Sequence, residues 1–289
     1  LSGQSQPRGR AAAPLGILDL GCGTGSNLRY LAPRLARSLG GPQRWICLDR
    51  DEALLAALPR RTRTWAASLG VDCSTRGEWL RVQGPGGPWD VRPRVLDLAA
   101  GLAPDLVDSG PLVTASALLD LVSDAWLRGL LSSCARSSAP LLLALTYDGR
   151  VELDPADPLD AVVVGLVNAH QRRDKGLGPA LGPAAAGRLV QLAGPLGFSL
   201  ALDQADWLLD AEAARLQAAL VESWIGAALE AAGEQAQGTY GRAEAALVGS
   251  LAQWRQVRRG QIAKACLHIR VGHQDALLLP GPHSSTLRG

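Results

Sequence analysis

An α/β fold with a mostly parallel sheet and a largely helical insertion is what this sequence predicts, on three observations. Short apolar runs alternate with helix-patterned segments through the first half of the chain. The first run, Leu15 to Leu18, passes into the glycine-rich turn Asp19-Leu20-Gly21-Cys22-Gly23-Thr24-Gly25, which opens a helical pattern at Asn27. The 289 residues, 47% of them hydrophobic, suffice for one large α/β core plus an insertion.

In order, the first element is thus a strand, a tight turn and a helix start. Glycine serves where φ must be positive or where a ligand lies against main chain with no Cβ between them. The N–H groups of the helix start stay open and, with the helix dipole, favour an anionic or strongly polar ligand group. The dinucleotide fingerprint is G-x-G-x-x-G, whereas this turn is G-x-G-x-G with an acid two residues ahead. A carboxylate there repels pyrophosphate and attracts ammonium.

The second strand is Arg44-Trp45-Ile46-Cys47-Leu48-Asp49, ending in an acid 24 positions after Gly25. An acid roughly 20 residues past such a turn is placed to grip ribose hydroxyls. Asp49 is chosen over Asp51, which suits the cap of a helix Glu52 to Leu58 stopping before Pro59. Arg94-Val95-Leu96-Asp97-Leu98 reads as the third strand, with Asp72 marking a rival strand end. Pro111 to Ser116 reads as the fourth strand, with Leu118-Leu119-Asp120-Leu121-Val122 behind it, and Leu141 to Tyr147 as the fifth.

These motifs resemble the class I S-adenosylmethionine-dependent methyltransferases, whose first motif is an acid, a spacer and three alternating glycines, here Asp19, Gly21, Gly23 and Gly25. The resemblance covers Leu15 to Tyr147 well and the remainder only by order of elements. It implies a Rossmann-like, seven-stranded, mostly parallel sheet with helices on both faces, the final strand inserted antiparallel. It implies S-adenosylmethionine as cofactor, with Asp19 facing the amino group of the methionine moiety, the helix start facing its carboxylate, and Asp49 on the ribose. Asp97 is the adenine candidate, Asp72 the competitor. Cys22, Asn27, Arg50, Leu98 and Ser116 complete the expected cofactor contacts. The fourth strand ends Thr114-Ala115-Ser116-Ala117 and lacks the Asn/Asp-Pro-Pro-aromatic signature of base-amine and glutamine methyltransferases.

Beyond the fifth strand, residues 148–182 are rich in acids, prolines and glycines and read as an insertion over the cofactor mouth. A helix from Pro158 to about Arg172, capped by Asp157, is expected there. His170, Arg172, Arg173, Asp174 and Lys175 then crowd a glycine turn, either as binding groups on a loop or as cations suiting a helix C-terminus. Tyr147 and His170 are the candidates for substrate contact or base; Arg172, Arg173 and Asp120 are the candidates for substrate binding. Gly182 to Leu196 reads as a helix and Phe198 to Leu202 as a strand. Leu216, Leu220 and Trp224, then Ala243, Leu247, Leu251 and Trp254, mark two helices of an antiparallel hairpin punctuated by Gly233 and Gly238. The hairpin is a substrate cap, a homodimer face or plain packing. Lys264 to Val271 and Ala276 to Leu279 read as closing strands.

The expected division is a flexible start at 1–14, a cofactor-binding core at 15–149, the insertion at 150–182, and at 183–289 the rest of the core with the hairpin at about 211–259. The chain has no methionine, so its true start is expected upstream of Leu1. A net charge of +2 with only short basic runs, such as Arg60 to Arg63 and Arg255 to Arg259, argues against a nucleic-acid partner. Five scattered cysteines without C-x-x-C spacing, and four scattered histidines, suggest a reducing, cytoplasmic setting and no metal. No apolar run approaches the roughly 18 residues of a membrane span. The expected activity is methyl transfer to a small polar molecule, anionic candidates included; the alternative is a cofactor-binding partner or regulatory subunit that transfers nothing.

Overall fold

The computed structural model describes residues 13–235 and 241–281. Most of the expected flexible start, together with Gly238 and His283, lies outside these residues. The α/β class is present, in two compact units: one runs through Leu98 and takes in Pro104–Thr114, the other holds Ala99–Ala103 and the chain from Ala115 onward.

In the first unit, β1 (Leu15–Leu20) leads to α1 (Ser26–Leu39), β2 (Gln43–Asp49) and α2 (Glu52–Ser68). A meander of β3 (Cys73–Arg76), β4 (Trp79–Gly84) and β5 (Gly87–Val95) follows. The strand order is β3-β4-β5-β2-β1, with β6 (Leu112–Ser116) beside β1 and only its last two residues in the second unit. β1 pairs parallel with β2, and β2 with β5, in the registers Asp19↔Cys47 and Asp49↔Val95. The last four residues of β1 are all buried, as suits a strand covered on both faces.

The structure departs from the sequence expectation at two elements of this unit. The third strand is β5, which ends at Val95, so Asp97 stands past the strand end rather than within it. Alternating burial of Trp89 and Val91 and the positive-φ turn at Gly86 and Gly87 place that strand earlier in sequence. The second helix does not stop before Pro59; it runs through it to Ser68, because Leu55, Leu58, Thr62 and Ala66 continue one buried face. Asp51 is its cap as expected, accepting from the N–H groups of Ala53 and Leu54.

The second unit contains α3 (Asp124–Ser137), β7 (Leu141–Asp154), α4 (Asp160–Gln171), α5 (Ala185–Ala193), β8 (Phe198–Gln204), β9 (Trp207–Leu209), α6 (Ala214–Gln235), α7 (Gly241–Ala263) and β10 (His268–Pro280). β10 lies antiparallel between β7 and β8 and also pairs with β9. The final strand is thus inserted antiparallel, as expected, but as one continuous strand rather than two. β7 is likewise longer than expected, so the segment from Asp148 to Asp154 is strand and the insertion helix begins only at Asp160. Ten strands are described against seven expected; the β3–β4 hairpin and short β9 are the additions.

α4, α6 and α7 enclose a core of Tyr147, Val163, Val167, Val221, Trp224, Leu251 and Trp254 with Leu267, Ile269 and Val271. α6 passes through Gly233 without a break. Arg258, wholly buried, holds α7 to this core: it pairs with the Asp160 carboxylate and donates to the Pro155 carbonyl, while the Trp254 indole N–H donates to Asp160 at 2.7 Å.

Candidate cofactor and acceptor sites

The glycine turn is built by backbone that only glycine adopts cheaply. Gly21, Gly23 and Gly25 have φ of 62°, 52° and 81°. A Cβ on Gly25 would also stand 3.0 Å from Leu58 Cγ. The Cys22 N–H donates to the Leu48 carbonyl at 3.0 Å and the Gly25 N–H to the Cys22 carbonyl at 2.8 Å, fixing the turn over the end of β2. α1 then starts without a side-chain cap and without an acid in its first turn, leaving its end positive.

Asp19 lies beneath this turn and is fully buried. Its Oδ1 accepts from Asn27 Nδ2 at 2.8 Å; its Oδ2 has no partner. Burial is the main cause that pushes its pKa up to about 7; the Asn27 hydrogen bond opposes this and the nearby Asp49 charge adds to it. Asn27 Nδ2 also donates to Thr114 Oγ1 at 3.2 Å. Asp49 Oδ2 accepts the Gly23 N–H at 2.7 Å and its Oδ1 the Asp51 N–H at 2.9 Å, so the acid at the end of β2 stitches the turn to the start of α2. Arg50 and Asp97 are exposed, and Leu98 is buried at a short 3-10 turn. The first unit therefore gathers Asp19, Gly21, Cys22, Gly23, Gly25, Asn27 and Asp49 around one turn. Cys22 and Cys47 are both buried, and contact with Cys22, together with burial, raises the Cys47 thiol.

In the second unit, Ser116 is half-buried at the end of β6, and Asp120 sits in the 3-10 turn Leu119–Leu121. Asp120 is 6% exposed, its Oδ1 has no partner, and burial lifts its pKa to about 6 against the hydrogen bonds it accepts from its own N–H and that of Tyr147. The Tyr147 hydroxyl donates to Asn168 Oδ1 at 2.8 Å, and Asn168 Nδ2 donates to the Gly149 carbonyl at 3.0 Å. Burial, then the charges of Asp148 and Asp120, raises the phenol well above its usual range, so Tyr147 is a neutral donor rather than a base.

His170 is held at both ring nitrogens, Nε2 at 2.9 Å from Glu230 and Nδ1 at 3.3 Å from Lys175. The ammonium can only donate, so Nδ1 accepts and Nε2–H donates to Glu230. Arg173 donates to the Glu230 carbonyl at 2.9 Å and Arg172 to the Asn168 carbonyl at 3.4 Å. The loop beyond them is pinned to the start of α3 by Ser123 N–H to the Leu177 carbonyl and Leu181 N–H to the Val122 carbonyl. A cleft of about 400 Å³ lies beside it, walled by Ala99 to Leu102, Trp126, Leu130 and Gly176 to Gly178.

Sequence reasoning missed Thr114, Asn168 and His273. Asn168 had a signal, since asparagine inside an apolar helix is disfavoured unless it bonds something. His273 stands opposite Tyr147 in the β10–β7 register, donates from Nδ1 to the Val271 carbonyl at 3.0 Å and packs 4.8 Å from the Trp207 ring. Burial lowers its pKa, so it is a neutral imidazole at pH 7. Nothing in sequence pairs it with Tyr147. Among the described residues no group of three His, Cys, Asp or Glu could hold a metal ion, and no helix is long and apolar enough to cross a membrane.

No family model and no curated protein matches the chain. Among solved structures it is similar to an S-adenosylmethionine-dependent methyltransferase from Geobacter sulfurreducens bound to S-adenosylhomocysteine, with 15% identity over 92% of this chain and 85% of that one and a TM-score of 0.37. It is similar to a cyclopropane synthase from Mycobacterium tuberculosis (12% identity, 92% and 78% covered, TM-score 0.39). A third is an arsenic(III) S-adenosylmethionine methyltransferase from Chlamydomonas reinhardtii (14% identity, 93% and 64% covered, TM-score 0.40). Likeness of this depth leaves the function to be read from the site.

Proposed function

We propose that the protein binds S-adenosylmethionine at the glycine turn and transfers its methyl group to a small polar molecule. One observation carries this: a buried carboxylate, Asp19, with an unpartnered oxygen beneath three left-handed glycines and an uncapped helix start. The residues fit the group. Asp19 suits the cofactor's ammonium, the open N–H groups of α1 its carboxylate, and Asp49 its ribose hydroxyls once the Gly23 bond is shared. A pyrophosphate would instead meet two acids. When bound, the cofactor supplies an electrophilic sulfonium methyl that an electron-rich atom can displace directly.

The protein's part is to hold and orient. Tyr147 is a neutral phenol and His170 is held by Glu230 and Lys175, so neither is set to take a proton. The acceptor accordingly arrives already nucleophilic, and positioning, worth about 7–11 kcal/mol in well-aligned reactions, does most of the work. Arg172 and Arg173 already have internal partners, whereas Asp120 keeps an open oxygen, which supports an acceptor with hydrogen-bond donors over an anionic one. The cleft beside Trp126 is of small-ligand size. The five unpaired cysteines support the cytoplasm as setting, and exposed Leu229, Val248 and Val257 on the hairpin support a homodimer face. The held state of His170 and Tyr147 also favours a second reading, a cofactor-binding subunit without transfer.

Thermal shift with S-adenosylmethionine, S-adenosylhomocysteine, NAD and NADP tests the first step, since a ligand of the folded state raises its stability. Stabilisation by NAD alone would end the proposal. Labelled methyl transfer to a metabolite pool separates the two readings: tight cofactor binding with no labelled acceptor selects the non-transferring one.

A further inference from the structure

Asn27 stands in the first turn of α1, where the sequence suggests a residue that touches the cofactor. Its amide nitrogen is engaged within the protein. Nδ2 reaches back to Asp19 Oδ1 at 2.8 Å and to Thr114 Oγ1 at 3.2 Å, using both of its hydrogens. Three separate pieces of the first unit, the end of β1, the start of α1 and β6, thus meet in one amide. The result is an asymmetric carboxylate. One oxygen of Asp19 is tied down, while the other is buried and unpartnered. A buried carboxylate without such a tie rotates about its last bond and can turn either oxygen inward; this one cannot without breaking the amide bridge.

We infer that Asn27 and Thr114 are positioning residues, which hold Asp19 by one oxygen so that the other is presented to the ammonium group of the cofactor. The inference rests on the proposed binding of S-adenosylmethionine and adds Thr114, on β6, to its machinery. Because the pair acts through the ammonium alone, its loss weakens ligands that carry the amino acid and spares those that lack it. A purely structural tie would weaken both alike.

The test is calorimetry with two ligands: S-adenosylhomocysteine, and methylthioadenosine, which keeps the nucleoside and the sulfur but has no amino-acid moiety. Thr114→Val removes the hydroxyl at nearly constant volume, Thr114→Ser keeps it, and Asn27→Ala removes the bridge. Asn27→Ala should weaken S-adenosylhomocysteine about 10-fold or more and Thr114→Val about 3- to 10-fold, the range of one or two hydrogen bonds. Methylthioadenosine should stay within about twofold in each, and Thr114→Ser should bind as wild type. Equal weakening of both ligands, or no change in either, overturns the inference. Where Asn27→Ala fails to fold, the Thr114 pair decides alone. Wild-type protein that binds neither ligand refutes the cofactor reading and this inference with it; wild-type binding with an unchanged ratio in the variants refutes only the inference.

Discussion

The turn around Asp19 and the ion pairs of the second unit treat their carboxylates in opposite ways. In the second, Asp160 is matched by the buried Arg258 and the Trp254 N–H, and Asp206 by Arg150, which also holds Asp148. In the first, Asp19 has an amide and no cation, and half of its hydrogen-bonding capacity is unused. Unsatisfied buried charge is costly, and complete pairing is what packing alone selects. The difference separates structure from function. The Asp160 clamp fastens α7 to α4, whereas Asp19 keeps an open oxygen at the turn where we propose that the cofactor binds. Asp120, buried in the second unit, likewise keeps an open oxygen, so the contrast is between ion-paired and unpaired carboxylates rather than between the units.

Breaking the satisfied side should cost most. Arg258→Met leaves the half-buried Asp160 without its cation and should destabilise the protein by about 3 kcal/mol in urea unfolding, with much of the loss recovered by adding Asp160→Asn. A loss below about 1 kcal/mol would mean that solvent screens the pair and that it does not fasten α7.

The incomplete side should behave in reverse. Folded Asp19 holds its proton up to about pH 7, whereas an unfolded aspartate releases it near pH 4. Between those values the folded state binds the extra proton, so this group's contribution to stability falls as pH rises. Asp19→Asn should therefore raise stability at pH 8 by up to about 4 kcal/mol relative to its effect at pH 4, while abolishing binding of S-adenosylhomocysteine. Unfolding curves at the two pH values check the first part and calorimetry the second. A variant that is less stable at pH 8 would show that Asp19 is satisfied after all.

Gly25→Ala probes the turn itself. The left-handed φ and the 3.0 Å approach to Leu58 should cost about 1–3 kcal/mol and lower cofactor affinity at least about 10-fold. The smallest effect is expected at His170→Ala. The solvated contacts with Glu230 and Lys175 should yield under about 1 kcal/mol, and affinity for S-adenosylhomocysteine should be unchanged. Loss of cofactor affinity there would contradict the proposed binding of the cofactor at the glycine turn.

Much of the first unit was legible because its signals are local. A glycine pattern with an acid ahead of it, a strand ending in Asp49 and a helix cap at Asp51 each lie within a few residues, and the backbone requires them there. Pro59 misled because local preference argued for a stop, and packing of Leu55, Leu58, Thr62 and Ala66 overrode it. β5 was displaced because the β3–β4 hairpin that pairs with it carries a weak strand pattern, and the pairing becomes visible only in register.

Sequence by itself determined the class of fold, the turn at Gly21 to Gly25 and the acids that flank it, because positive φ and strand alternation are imposed residue by residue. Tertiary structure alone decided which hydrogen-bonding capacity remains open. Asn27 meets Thr114 across 87 positions and His170 meets Glu230 across 60, so whether a polar side chain is spent or available depends on neighbours that lie far along the chain.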